Sequence, residues 1–226
     1  MKRTSGDRNS IDNRLEFSKQ IRANESPFGA IGNVSIGGTV FLGPDIWSVG
    51  GAYTIDRQVQ FHGRNSTIIQ QPEDSSVSTA FMIITADDVV IDGIKFQSNS
   101  TANTAIWIQA DRVRITNCTF DGFGIAVRVG KLRSLRVNSC TISGNTFSNQ
   151  TTASISVKEA TGCLIQSNMV TDNPTNGIKM DNAEKCLVVG NVLPNGSIVY
   201  TASPNNQPDT TAKAESANVA NSVTVT

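Results

Sequence analysis

The sequence predicts an all-β chain, a single-stranded right-handed parallel β-helix of about six to seven coils with an extended N-terminal arm and an irregular C-terminal tail. Three observations lead there. The first is a repeat. Ile91, Ile115, Ile165 and Val188 each precede an apolar residue five places on (Phe96, Phe120, Val170, Leu193), and each follows Val89, Val113, Cys163 or Cys186 by two places. Ile91 and Ile115 lie 24 apart and Ile165 and Val188 lie 23 apart, while the 50 residues between Ile115 and Ile165 leave room for one irregular unit. The second is the spacing within each unit. Phe81/Ile83, Ile106/Ile108, Val127/Val129, Ile155/Val157 and Ile178/Met180 alternate with period two, which is the period of strands. The third is the punctuation. Ala86, Ala110, Ala160 and Ala183 stand five places before their markers, where stacked corners need small side chains. Asp92-Gly93, Asn117, Asn168 and Asn191 follow the markers, where a bend wants positive φ or a side-chain hydrogen bond to the backbone.

VVIDGIKF (89–96), VRITNCTF (113–120) and CTISGNTF (140–147) resemble the repeats of the pectate-lyase-like superfamily. GGTVFLG (37–43) with AYTIDRQVQF (52–61) is similar to the opening segment of many phage tailspikes and polysaccharide-degrading enzymes. The resemblance covers roughly 37–200. It implies the fold; because that architecture carries lyases, hydrolases and structural virion proteins alike, it leaves the function to be argued from the surface.

In chain order, residues 1–36 read as an N-terminal arm or anchor. Six basic and four acidic residues crowd 1–25, and Ile11, Leu15, Phe17 and Ile21 recur among them as candidates for anchoring the chain to a particle. Ser10 is a candidate cap for a short helix there. The helix proper is expected over 37–200. Its first coil has strands at Val40/Leu42, Tyr53/Ile55 and Val59/Phe61 and a protruding turn over 43–51, and Ile68, 23 before Ile91, is placed on the sheet of the second strands. The fourth coil (124–152) carries a surplus. With Val137 as marker it falls in 143–147; with Ile142 it falls in 131–135; matching offsets at Val127/Val129 favour Val137. Over 201–226 the repeat fades into a tail, and Ser222 to Thr226 alternates like a strand that pairs with the last coil or swaps into a neighbouring subunit.

Composition narrows the function. Of 226 residues 38% are hydrophobic and 17% charged, the solenoid habit of polar outer positions and corners. Nineteen basic residues balance nineteen acidic ones, which points away from nucleic acid and anionic membranes as partners. No apolar run is long enough for a membrane span, and MKRTSGDRNS lacks the apolar core of a secretory signal, so the expected location is a virion assembled in a host cytoplasm. Cys118, Cys140, Cys163 and Cys186 form no CxxC pair, and the sole histidine is His62; buried free thiols are expected, with no metal and no cofactor.

Carbohydrate-active solenoids need clustered carboxylates with Arg or Lys on one outer wall, one group to move a proton and another to stabilise charge. The residues nearest to that pattern are Asp87, Asp111, Arg128, Lys158, Lys179 and Asp181, with Asp88 and Glu184 at the same corners. Solvated corner charges account for them equally well, and the reading leans against an enzyme; if it were one, it would be a polysaccharide lyase or glycoside hydrolase. Outward apolar residues Val90, Trp107, Leu164 and Leu187 are read as interface candidates. By resemblance to tailspike-like helices this implies a homotrimer, a structural virion protein that decorates a capsid or forms part of a fibre or spike and contacts other capsid or tail proteins. The alternative is a carbohydrate-binding or polysaccharide-degrading protein whose partner is a host surface glycan.

Overall fold

A computed structural model describes residues 18–21, 25–70, 80–98, 103–131, 136–172, 174–201 and 219–225. They wind into a right-handed parallel β-solenoid of about seven turns. Its strands stack in three walls, and every pairing within each wall is parallel. Wall A runs through Tyr53–Ile55, Ala80–Ile84, Thr104–Ile108, Ile125–Val129, Ala153–Lys158, Asn176–Asp181, 198–201 and 222–225. Wall B holds Ser18–Ile21, Thr39–Leu42, 60–63, 90–92, Arg114–Thr116, Thr141–Ser143, Leu164–Gln166 and Leu187–Val189. Wall C holds Ile46–Val49, 67–70, 94–98, Thr119–Asp121, Thr146–Ser148, Met169–Val170, 192–193 and 219–220.

Because rungs repeat about 4.8 Å apart, one residue type per coil becomes a column. Val40, Phe61, Ile91, Ile115, Ile142, Ile165 and Val188 form the inward column of wall B, exposed by at most 3%. Phe96, Phe120 and Phe147 stack in wall C with centroids 5.2 and 5.3 Å apart and planes within 12°. Offset stacking of this kind adds to what burial alone contributes.

The registers correct four expectations. Ile142, not Val137, pairs with both Ile115 and Ile165, so the surplus of the fourth coil lies at 131–135, of which 132–135 fall outside the described residues. Val137 pairs instead with Ala160, at the small-residue corner. Ile68 pairs with Phe96 on wall C, because a register shift between His62 and Ser66 lengthens the coil and leaves Phe61 opposite Ile91. Met82 and Ile84, rather than Phe81 and Ile83, align with Ile106 and Ile108; Phe81 is buried near the base, edge-on to Phe28 and Tyr53. The segment 43–51 does not protrude. It supplies Ile46–Val49, the third side of the first coil, and buries Trp47.

Two columns of left-handed residues flank wall B and turn the chain. Asp88, Arg112, Ser139, Gly162 and Lys185 precede it, with φ between 52° and 66°; Gly93, Asn117, Gly144, Ser167 and Gly190 follow it, with φ between 52° and 69°. The corners keep bonding as they bend. Arg112 N–H donates to Asn138 O, Ser139 N–H to Thr161 O and Asn117 N–H to Ser143 O, so few backbone groups are orphaned. Directly after the second column sits a buried asparagine ladder. Asn145 donates from both its backbone N–H and its Nδ2 to Asn168 Oδ1 and from Nδ2 to Ile115 O; Asn168 does the same to Asn191 Oδ1 and Ile142 O; Cys118 N–H closes the lower end on Asn145 Oδ1. Asn168 and Asn191 thus act by inward hydrogen bonding; their left-handed neighbours make the bend.

Further elements of the same chain lie on both ends of the stack. At the base Ser18–Ile21 pairs with Thr39–Leu42, and the short helix Pro27–Ile31, capped by Ser26 Oγ accepting from Gly29 N–H, buries Pro27, Ala30 and Ile31. Phe28 of that helix stacks on Tyr53 at 3.8 Å. At the top Val219–Val225 lies parallel on 192–201 of its own chain, an ordered strand within the expected irregular tail.

Candidate functional site

Wall A presents the outward row Ile83, Trp107, Arg128, Ser156, Lys179 and Val199. Trp107 is outward-pointing yet only 4% exposed. The Arg128 guanidinium lies 4.5 Å from its ring centroid, and its indole N–H donates to Gly130 O at 2.7 Å. Above this pair, Arg128, Lys158, Lys179 and Asp181 converge with Ser156 and Asn176 on an open hollow of about 340 Å³. Four of the six sequence candidates for a glycan site therefore share one surface, three cations to one carboxylate.

The other two stand at the corner before wall B. Asp87 Oδ1 accepts from Asp111 N–H at 2.9 Å, so the step between coils does bring them together. Both are committed to the fold. Arg112 grips Asp88 through Nε (2.7 Å) and Nη2 (2.9 Å) and reaches Asp87 Oδ2 at 3.1 Å, holding Asp88 below the usual carboxylate range. Asp111 accepts from Lys131 Nζ at 3.0 Å and from the backbone and side chain of Asn138. Burial pushes its carboxyl up, but these donors outweigh that and hold it low. A carboxylate so paired is a poor proton carrier at neutral pH. Arg136 likewise pairs with Glu184 at 2.8 Å, so Lys131 and Arg136 pin the two sides of the surplus segment.

Of the interface candidates, Val90, Leu164 and Leu187 lie in one outward row of wall B, but Arg114 and Thr141 interrupt it, leaving Leu164 and Leu187 (42% exposed) adjacent. Trp107, the fourth, is already covered within the monomer. Sequence reasoning missed two further exposed apolar residues of the same coils: Met169 (48% exposed) and Val192, which are paired on wall C. The signal existed in NMV and NVL, where each apolar residue precedes the inward Val170 or Leu193. Phe41, exposed between inward Val40 and Leu42, was legible in the same way.

Ile21 is not available for anchoring: it is 2% exposed in the first strand of wall B, where its pairing opposite Leu42 turns it inward. Ile11, Leu15 and Phe17 lie outside the described residues. All four cysteines are free. Cys140, Cys163 and Cys186 stand at one inward position, two places before Ile142, Ile165 and Val188, and Cys163 N–H points at Cys186 Sγ at 3.3 Å. Burial pushes the Cys118 thiol up to about 12, and the neighbouring Cys140 thiol, with burial, does the same for Cys163 against the opposing effect of Cys186. Among the described residues no three His, Cys, Asp or Glu side chains converge as a metal site, and no helix is long and apolar enough to cross a membrane.

Residues 79–221 match the family described as "Right handed beta helix region". No curated protein matches. Among solved structures, the chain is similar to ORF18 of Geobacillus virus E2, at 10% identity and a TM-score of 0.33 over 78% of this chain. It spans half the length of that protein.

Proposed function

The chain belongs to the right-handed β-helix family, and from that premise we propose that it is a structural protein of a tailed-phage virion. In this reading it is a trimeric solenoid serving as capsid decoration or as a fibre or spike component, with residues 1–17 attaching it to the particle. The observation that carries the reading is the outward apolar residues of two adjoining coils, Leu164 and Leu187 adjacent on wall B and Met169 and Val192 paired on wall C. An apolar surface on a stiff, ladder-bonded wall is suited to a permanent contact between parallel copies. The corner carboxylates support the same reading, because Asp87, Asp88 and Asp111 are held in ion pairs.

Native mass spectrometry tests it. A species of three times 24.1 kDa is expected, and Leu187→Glu with Val192→Glu is expected to give folded monomer. A wild-type monomer at micromolar concentration would sink the trimer, and absence of the chain's peptides from banded virions would sink the virion role. The hollow of Arg128, Lys158, Lys179 and Asp181 favours one second reading, a binding face for an acidic glycan. Lys158→Ala with Lys179→Ala is then expected to abolish retention on an acidic polysaccharide column.

A further inference from the structure

We propose that the lower edge of the first strand of wall C, Ile46–Val49, is a docking edge to which an extended segment of a particle protein adds as a further rung; this rests on the virion reading and names the surface of contact. Each strand of a solenoid bonds to the rungs above and below it. A bottom strand keeps one edge for whatever lies beneath, and such an edge is a template for any extended chain unless it is blunted. Three strands open the stack, Ser18–Ile21 on wall B, Ile46–Val49 on wall C and Tyr53–Ile55 on wall A.

Two of the three are blunted. On wall B, Lys19 pairs opposite Val40 and so takes the lowest place of the inward column, where a charge opposes a further apolar rung. On wall A the strand is only three residues long. Phe28 of the helix Pro27–Ile31 stacks on its Tyr53 at 3.8 Å, and Arg57 Nη1 donates to Gly32 O at 3.1 Å, tying the end of that helix to the turn after the strand. Ile46–Val49 has neither device. It pairs above with 67–70, it contains no charge and no proline, and no strand of the described residues pairs with its other side. Trp47 is buried inward, Ser48 is exposed, and Ile46 is 67% exposed. Among the described residues only Ile36, shortly before Thr39–Leu42, is a more exposed large apolar side chain.

The place of the edge says what docks on it. Residues 1–17, the attachment in the virion reading, join the solenoid at Ser18 on the bottom rung of wall B, so the base is the end that faces the particle. Four residues offer few backbone hydrogen bonds, too few to hold a partner alone. Beside an attached arm the same bonds form at a high effective concentration. The segment that fits is extended, sets an apolar side chain beside Ile46 and brings no charge under Trp47.

The test adds the full chain to particles purified from a phage deleted for it and reads hydrogen exchange by mass spectrometry. The amides of 46–49 are expected to exchange freely in the free chain and at least about tenfold more slowly on the particles. Ile46→Lys with Ser48→Lys is expected to lower occupancy about tenfold with Tm unchanged, while Thr119→Lys, higher in the outward column of Ile46, keeps wild-type occupancy. Failure of the wild-type chain to bind the particles sinks the virion reading and this inference together. Wild-type binding that leaves 46–49 unprotected, or wild-type occupancy by the double-lysine variant, overturns this inference alone. Protection already present in the free chain overturns it too: if it is lost on deleting 1–17 the edge belongs to the chain's own arm, and if it fades on dilution the edge belongs to a second copy.

Discussion

Asn168 carries more of the fold than its size suggests. Its Oδ1 satisfies two donors of Asn145, its Nδ2 satisfies Ile142 O, and it is 1% exposed. Removing a partner from buried groups costs more than the bond was worth, because the orphans stay dry. Asn168→Ala is expected to cost about 2–4 kcal/mol and to lower Tm by roughly 5–15 °C, whereas Asn149→Ala, which loses one exposed bond to Asp121 and puts alanine at a left-handed φ of 60°, should cost only about 1 kcal/mol. Carboxylates give this chain opposite pH responses. Asp92 and Asp111 have folded-state pKa values below their unfolded ones, so their stabilisation is full above about pH 5 and fades as pH falls through the lower value. Asp172 has the reverse sign. Burial raises it, its Oδ1 and Gln150 Oε1 are both buried acceptors with no donor among the described residues, and its favourable contribution is lost as pH rises. Scanning calorimetry is expected to show a shallower acid drop between pH 5 and 3 for Asp111→Asn, and a higher Tm at pH 7 for Asp172→Asn; the opposite order would refute the assignment.

At the scale of elements, each strand is only a few residues long and gains its stability from the rungs above and below. The end rungs lack one neighbour and need a cover. Val219–Val225 supplies it at the top by bonding to the parallel edge of 192–201. Cutting the chain after 218 is expected to expose that edge and produce self-association visible by light scattering at protein concentrations where the full chain stays discrete. At the base, the helix Pro27–Ile31 and Phe28 on Tyr53 play the same part. Deleting 1–17 is therefore expected to leave Tm unchanged, while deleting 1–31 removes the first strand of wall B with its buried Ile21 and the cap, and lowers it by roughly 10 °C or more.

For the whole molecule, period and alternation in the sequence were enough to predict a solenoid, its parallel strands and most inward residues, because a repeat that must stack on itself leaves only a few ways to bury one face. The same regularity made Leu164, Leu187, Lys158 and Lys179 readable as outward. Three things were decided only in three dimensions. The choice of Ile142 over Val137 depended on which of two near-equivalent frames lets both neighbours bond. The covering of Trp107 by Arg128, 21 residues on, depended on one rung resting on the next. The pairing of Met169 with Val192 on wall C depended on the register between two successive coils. Alternation along a chain tells which side of a strand a residue takes; only the winding tells which residues from different coils share a surface, and it is such surfaces that bind.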